Sequence, residues 1–181
     1  MPTRVITPPA VEPVTLAEVK AHLRIDFTDD DVYLSALISA ARDYAEGFQH
    51  RSLVPQTLEY TDHCFSPVVR LRRGPVTEIV SVSYTAIDGS EQTITPADYT
   101  LTSNDELIPK YGTYWPLTIG YGDAVRIRYK AGYTDVPCAT KQAMLLLIGH
   151  WYENRESVTV GRTAVELPLA ATSLLWMDRT W

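Results

Sequence analysis

One long helix near the end of the chain constrains the fold more than any other stretch. Residues 137–156 read PCATKQAMLLLIGHWYENRE. Pro137 suits the first position of a helix, because proline lacks the N–H group that would have no helical partner there. Apolar residues recur at three- and four-residue steps from Ala139 to Trp151, and further apolar residues widen the stripe. Such a broad stripe predicts a helix that packs on several sides, so the rest of the chain must supply its partners.

Two helices are predicted near the beginning of the chain. Thr15 and Glu18 have the T-x-x-E spacing of a capping box, in which each side chain accepts a hydrogen bond from the other residue's free backbone N–H. A first helix therefore starts at Thr15 and runs toward Ile25, and a second, amphipathic helix ends near Phe48. Residues 1–14 contain four prolines and are predicted to be extended, either as a frayed arm or as an arm on a neighbouring subunit.

Three adjacent aspartates precede the second helix. Thr28 or Asp29 is the predicted N-cap, and Asp29, Asp30 and Asp31 fall on the first turn, where the helix dipole favours negative charge. The run lacks the alternating ligands, central glycine and distal glutamate of a calcium-binding loop. It is therefore interpreted as helix capping, and no metal is predicted.

The apolar period changes from helical to alternating between residues 56 and 134. The clearest strand covers residues 124–130, where apolar residues alternate with Arg126, Arg128 and Lys130. This cationic row has two interpretations: it meets phosphate or an acidic neighbour, or it is a solvated outer face. Asp88-Gly89 predicts a hairpin turn within the same region.

Aromatic residues cluster in the stretch YGTYWP at residues 111–116. Tyr114 and Trp115 lie at its centre, and the glycine and proline around them predict an ordered loop. The aromatic side chains either form an interaction hot spot or cover the end of the sheet.

The last stretch of the chain is apolar. A short final helix is predicted near residues 169–179, with Leu174, Leu175 and Trp176 at or next to helical spacing, and Trp181 follows. Large apolar residues so near a terminus need burial, either on the chain's own core or on another subunit.

No catalytic or cofactor motif emerges from the residue spacing. Four histidines occur outside any zinc-ligand pattern, and neither a nucleophile elbow nor a phosphate-binding loop is present. His63-Cys64 is a poor catalytic pair, because adjacent strand residues point to opposite faces. The net charge of −6 argues against tight binding to DNA phosphates. Two cysteines, a proline-broken N-terminus and the lack of a membrane-length apolar run favour a cytoplasmic place of synthesis.

Together these patterns predict an α+β fold in one domain, residues 1–181. Helices are predicted within residues 15–55 and 135–181: the two N-terminal helices, the long C-terminal helix and the short terminal helix. Residues 56–134 form a β-rich region between them.

The order of these segments resembles the head–tail connector (adaptor) proteins of long-tailed bacteriophages, prophages and gene transfer agents. The resemblance is carried by PPAVEPVTLAEVKAHLRID and DDDVYLSALISAARDYAE before the β-rich middle. After it come AVRIRYKAGYTDVP, KQAMLLLIGHWYENRE and an LP pair followed by a Leu-Leu helix.

The resemblance implies a fold in which residues 15–55 and 135–181 form a small helical core and residues 56–134 a β-rich insertion. It also implies a structural virion protein without a cofactor. Subunits of such proteins form a ring, generally of twelve copies, below the portal. The ring extends the DNA channel and offers a platform to the stopper or tail-completion protein, while double-stranded DNA passes through without sequence-specific binding. The implied location is the virion neck, and the host cytoplasm during assembly, with no membrane contact. The alternatives are a stopper or tail-completion protein and, more distantly, a small cytoplasmic enzyme, for which a deep polar pocket around His63 or His150 would be the sign.

The resemblance also suggests contact residues. The portal contact carried over from the family falls on Leu174, Leu175, Trp176 and Trp181. A ring repeats one contact between two different faces of each subunit. Candidate residues for those faces are Arg126, Arg128, Asp29, Asp30, Asp31, Tyr114 and Trp115.

Overall fold

The computed structural model describes residues 3–154 and 169–180, and in that part the chain has an α+β fold. The elements, in chain order, are β1 (Thr3–Thr7), α1 (Leu16–Leu23), α2 (Asp31–Gln49), β2 (Gln56–Asp62), β3 (Val69–Arg70), β4 (Val76–Thr85), β5 (Glu91–Thr93), β6 (Tyr99–Leu101), β7 (Glu106–Pro109), β8 (Val125–Ala131), α3 (Cys138–Glu153) and α4 (Leu169–Trp176). The predicted fold class, a helical core with a β-rich insertion, is confirmed.

The chain divides into two compact units. The β unit contains Met1–Ala10 and Pro55–Tyr133, and the helical unit contains Val11–Val54 and Thr134–Trp181. Each unit has its own apolar core. That the two units make up a single domain stays a prediction.

The helical unit is built around α3. The buried side chains of α3 include Met144, Leu147 and Ile148, which share one core with Leu34 and Ile38 of α2. Burying a side chain of this size contributes about 1.5–3 kcal/mol relative to leaving it exposed. Pro137 is the residue that precedes the helix rather than its first helical residue.

Local signals at the helix starts are only partly right. The capping box is confirmed: the Glu18 N–H donates to Thr15 Oγ1 at 3.2 Å, and the Thr15 N–H donates to Glu18 Oε2 at 2.6 Å. For α2 the predicted N-cap, Thr28 or Asp29, is wrong, because Asp30 holds that position and makes no side-chain capping bond. Its carboxylate instead accepts a hydrogen bond from the Tyr152 hydroxyl of α3 at 2.5 Å, so a tertiary partner replaces the local one.

The β unit contains two antiparallel sheets. The larger has the order β1-β2-β8-β4-β5, and the smaller has the order β3-β7-β6. β8, the last of the described strands along the chain, lies at the centre, and its apolar residues Val125, Ile127 and Tyr129 are buried. β8 therefore joins the two halves of the larger sheet.

The N-terminal arm is a strand of this sheet. Thr3 pairs with Tyr60, and Val5 pairs with Leu58, with β1 antiparallel to β2. β1 and β5 are the two edges of the larger sheet. The extended conformation was predicted, but its pairing with the chain's own β2 was not among the predicted alternatives.

Candidate interaction surfaces

The cationic row of β8 is neutralised by its own sheet. Arg126 pairs with Glu91 of β5 at 3.0 Å, Arg128 pairs with Glu59 of β2 at 2.7 Å, and Lys130 pairs with Glu78 of β4 at 2.8 Å. These residues line up because β8 lies between β2 and β4, with β5 beyond. The row is therefore not a free cationic face in this structure.

Glu59 is the buried centre of this arrangement. Its side chain is 1% exposed, and it accepts hydrogen bonds from Arg128 Nε at 2.7 Å and from Arg4 Nε at 2.9 Å. Burial raises the pKa of Glu59, but the hydrogen bonds and charges of Arg128 and Arg4 outweigh it, so the pKa is lowered overall. Glu59 thus ties the edge strand β1 to the central strand β8.

Two of the three aspartates at residues 29–31 bind side chains of the helical unit. Asp31 forms an ion pair with Lys20 of α1 at 2.7 Å, and Asp30 binds the Tyr152 hydroxyl. Asp29 is exposed. The structure does not bring the acidic run together with Arg126 and Arg128 in one unit, since those arginines belong to the β unit.

The aromatic loop divides its residues between two roles. The Trp115 ring stacks on the Phe65 ring, with centroids 4.7 Å apart and planes at 9°. Its indole N–H also donates to the Pro67 carbonyl at 3.4 Å. Tyr114, in contrast, is almost fully exposed. The covering role thus fits Trp115, and Tyr114 is available for an interaction.

α4 lies against the helical core. Leu175 is fully buried there, so the expected portal contact does not fit this side chain, which already fills its own core. Leu174 is partly buried against the same core. Trp176 is about half exposed, and its ring meets the Phe48 ring edge-on at 5.7 Å. Trp181 lies outside the described residues.

Polar bonds hold α4 and the segment after it in place. Gln49 is fully buried, and its side-chain amide donates to the Leu175 carbonyl at 3.0 Å and to Thr140 Oγ1 at 3.2 Å. Thr180 donates its N–H to the Gln49 carbonyl at 3.1 Å. The bond from Thr180 satisfies the Gln49 carbonyl at the end of α2, which has no partner within its own helix.

The histidines do not assemble a catalytic site in the described part of the chain. His150 borders an open surface cleft with His22, Arg24 and Glu153, and Gly149 forms part of its wall. His63 is exposed and contacts Asp62 through Nδ1 at 2.8 Å. Among residues 3–154 and 169–180, no group of three His, Cys, Asp or Glu side chains is placed to hold a metal ion. None of the helices there is long and apolar enough to span a bilayer.

Sequence reasoning missed several residues of the β unit, one buried and the others exposed. Glu59 looked like the polar half of an alternating strand, and nothing local marked Arg4 as its partner. Leu117 and Tyr121 are exposed in the stretch that follows Tyr114, and that stretch carried a weak signal in its glycines and aromatics. Ile87 is also exposed, as its place beside the predicted Asp88-Gly89 turn could have indicated.

Solved structures share this fold over its whole length. One is the virion of a native gene transfer agent particle, with a TM-score of 0.80 and 23% identity, covering 100% of this chain and 96% of the other. A second is the neck of an empty gene transfer agent particle computed with C6 symmetry, with a TM-score of 0.79 and 23% identity at the same coverage. A third is the neck of the native particle computed with C12 symmetry, with a TM-score of 0.78, 22% identity and the same coverage. At this identity the likeness establishes the fold.

No curated protein matches the chain. The family model described as "Phage gp6-like head-tail connector protein" matches residues 13–112, which is more than half of the chain and includes α1, α2 and β2 to β7. The chain therefore belongs to the phage gp6-like head–tail connector family and is a structural protein of a phage-like particle.

Proposed function

We propose that the protein forms a ring below the portal in the neck of a phage-like particle. The observation that carries this proposal is the full-length likeness of the fold to chains in gene transfer agent necks, together with family membership. Those necks were computed with C6 and C12 symmetry, which supports a closed ring, with twelve copies as the expected number.

In this function the ring lengthens the DNA channel and gives a stopper or tail-completion protein a surface to dock on. Double-stranded DNA passes through the ring during packaging and ejection without being held. The net charge of −6 supports this, because phosphate contacts by many cations would bind the genome tightly. The pairing of the β8 cations with carboxylates supports it as well, since paired cations attract phosphate less strongly.

The portal contact is proposed for the exposed side of α4. Trp176 and Leu174 remain candidates, and the neighbouring Leu169 and Met177 are large exposed apolar residues. An apolar helix face of this kind suits docking into a groove. Arg126, Arg128 and Asp29 stay proposed residues of the contact between neighbouring subunits. Their charged groups would lie at the rim of that contact.

The test mixes the purified protein with its cognate portal and follows the mixture by sedimentation velocity and negative-stain imaging. We expect a complex heavier than the portal alone that carries an added ring. If the two proteins sediment separately at every concentration while the portal stays intact, the proposed function is wrong.

A matched pair of variants tests the role of α4. Met177→Asp places a charge on the proposed portal contact, and we expect portal binding to weaken at least 10-fold, as for a hot-spot residue. Val32→Asp is the control, because Val32 is 86% exposed at the start of α2, away from α4 in the chain. Equal binding by both variants would remove α4 from the portal contact.

A further inference from the structure

The strand β1 pairs with a single neighbour in its sheet. It lies at the edge, antiparallel to β2, with Thr3 opposite Tyr60 and Thr7 opposite Thr57. Four of its five residues are exposed, and none of them belongs to the apolar core of either unit. β1 can therefore leave the sheet as one element without opening a core.

The outer edge of β2, in contrast, needs a strand paired with it. Glu59 is buried, and Arg4 of β1 is one of the two cations that bind its carboxylate. Leu58 and Thr61 on the same strand are buried as well. Without β1, Glu59 would lose half of its cationic partners, and the backbone groups along this edge of β2 would lose their hydrogen bonds. These bonds require a β1 strand, but they do not require that the strand come from the same copy.

The chain that follows β1 is built as an extended spacer, with the sequence PPAVEPV. Pro8 and Pro9 have a fixed φ and no N–H, so they favour an extended backbone and end the pairing with β2. The spacer is anchored at Glu12, which accepts hydrogen bonds from the side chains of Ser39 at 2.9 Å and Arg42 at 2.8 Å on α2. The four residues between β1 and this anchor span about 12 Å when extended, at about 3.1 Å per residue. β1 is thus tethered to α2 by a short, stiff arm.

An exchange of β1 between copies would use contacts that the fold already contains. A β1 strand on the β2 of a neighbouring copy makes the same ladder and the same bond from Arg4 to Glu59, so it needs no new complementary surface. Each copy donates one strand and receives one, which is a head-to-tail contact that repeats around a closed ring. Copies held side by side in a ring have a high effective concentration, so the entropy cost of the exchange is small there.

We infer that β1 of each copy pairs with β2 of the next copy in the assembled ring, in the register that it has within a single copy. The inference rests on the proposed ring, and it names a contact that joins the subunits of that ring. It also gives a role to the buried carboxylate next to the sheet edge, since Glu59 then binds Arg4 of the strand that arrives from the neighbour.

A disulfide between β1 and β2 tests the exchange. In a background where Cys64 and Cys138 are replaced by serine, one chain carries both Thr7→Cys and Thr57→Cys. Directly opposed residues of antiparallel strands have Cα atoms about 4.5–5.5 Å apart, which suits a disulfide. Rings are assembled on the cognate portal under reducing conditions and are then oxidised. We expect a ladder of covalent species at multiples of 20.3 kDa on a denaturing, non-reducing gel, with the 7–57 linkage identified by peptide mass spectrometry.

Pairing within each copy would give a different gel. A 7–57 disulfide confined to single chains, or free thiols at both positions, would overturn the inference. The matched control is Val32→Cys with Thr57→Cys, because Val32 is exposed on α2. This control should give no ladder, and a ladder from it would count against the exchange. Imaging of the same sample separates the claims: intact rings with only single-chain disulfides leave the proposed function standing, and the absence of any ring overturns both.

Oxidation before assembly gives a second test with the same chain. In the monomeric fraction, an internal 7–57 disulfide keeps β1 on its own β2, so the fold should be unchanged by circular dichroism. We expect the protein concentration for half-maximal ring assembly to rise at least 10-fold, and to return to the wild-type value once a reductant frees the strand. Equal assembly by the oxidised and reduced forms would contradict the inference.

Discussion

Replacing Glu59 by glutamine should loosen the N-terminal strand of the β unit. Glu59 is the buried carboxylate that accepts hydrogen bonds from Arg4 of β1 and Arg128 of β8. Glutamine keeps the shape of the side chain and removes its charge. We call the bonds that Glu59 accepts from Arg4 and Arg128 the clamp on β1. The change to glutamine isolates the electrostatic part of this clamp.

The size of the effect follows from the two hydrogen bonds. A hydrogen bond to a charged group contributes about 1.5–3 kcal/mol, against about 0.5–1.5 kcal/mol for a neutral one, so two such losses come to about 2–3 kcal/mol. The arginine side chains are 65% and 52% exposed and can be rehydrated. The cost should therefore stay at about 2 kcal/mol, below the roughly 3–5 kcal/mol for breaking a fully buried pair.

Two measurements detect this loss. Amide hydrogen exchange at Arg4 and Val5 should become faster in the variant, because β1 opens more often. Thermal unfolding of the β unit should occur about 4–8 °C lower, at about 2–4 °C per kcal/mol for a chain of this size.

The pH dependence of stability shows whether the charge of Glu59 stabilises the fold. Folding lowers the pKa of Glu59, because the hydrogen bonds from Arg128 and Arg4 outweigh its burial. A carboxyl group of this kind stabilises the fold above its unfolded pKa of about 4.3, and the contribution is lost as pH falls through the folded pKa. The stability difference between the wild-type protein and Glu59→Gln should be full at neutral pH and shrink below about pH 4.

Glu78→Gln is the control for this experiment. Glu78 pairs with Lys130 on the same sheet face, but both side chains are more than half exposed. Exposed pairs of this kind contribute about 0–1 kcal/mol. If Glu59→Gln is no more destabilising than Glu78→Gln at neutral pH, the proposed clamp on β1 is wrong.

Three further predictions concern single positions. Gly74→Ala should lower the free energy of unfolding in urea by about 1–3 kcal/mol, because the added Cβ would lie 1.8 Å from Asp105 Oδ2. Gly47→Ala meets no atom within 4 Å and should raise the stability of α2 by about 0.5–1 kcal/mol. Equal effects of the two variants would contradict this. Thr15→Ala should cost about 1 kcal/mol and speed amide exchange at the start of α1, and unchanged exchange there would mean that the capping box contributes nothing. Burial raises the pKa of Tyr129 to about 12, so Tyr129→Phe should remove a late step from the ultraviolet titration of tyrosine, and stability due to this group should fall as pH rises from about 10 toward that value; an identical titration curve would refute it.

Local patterns in the sequence predicted the elements well where one residue constrains its near neighbours. The Thr15–Glu18 box, the apolar stripe of α3 and the alternation of β8 all express a backbone period or an end effect. Each is set within a few residues, so the sequence alone predicts it. The turn at Asp88-Gly89 belongs to the same class, since Gly89 takes the positive φ of +83° that glycine favours.

Long-range pairing could not be predicted in this way. Nothing near Arg126 or Arg128 shows that β8 enters the sheet between β2 and β4, which brings a carboxylate beside each cation. Glu59 has the alternation of an exposed residue, yet two arginines from distant strands make its burial tolerable. These interactions depend on the order of the strands, and alternation does not determine that order.

The candidate interaction surfaces show the same difference between local patterns, which the sequence predicts, and long-range contacts, which it does not. The aromatic stretch was evident, but the separate roles of Trp115 and Tyr114 depend on Phe65, far away in the chain. The apolar end of the chain was evident too, whereas the burial of Leu175 depends on its packing in one core with residues of α2 and α3. Composition identifies such stretches, and tertiary contacts decide which side chains remain for partners.

Cryo-electron microscopy of the protein bound to its cognate portal tests the proposed ring most directly. The expected map has a closed ring of twelve copies that is coaxial with the portal and extends its channel. A map in which single copies bind at scattered positions, or in which the chain encloses no channel, would contradict it.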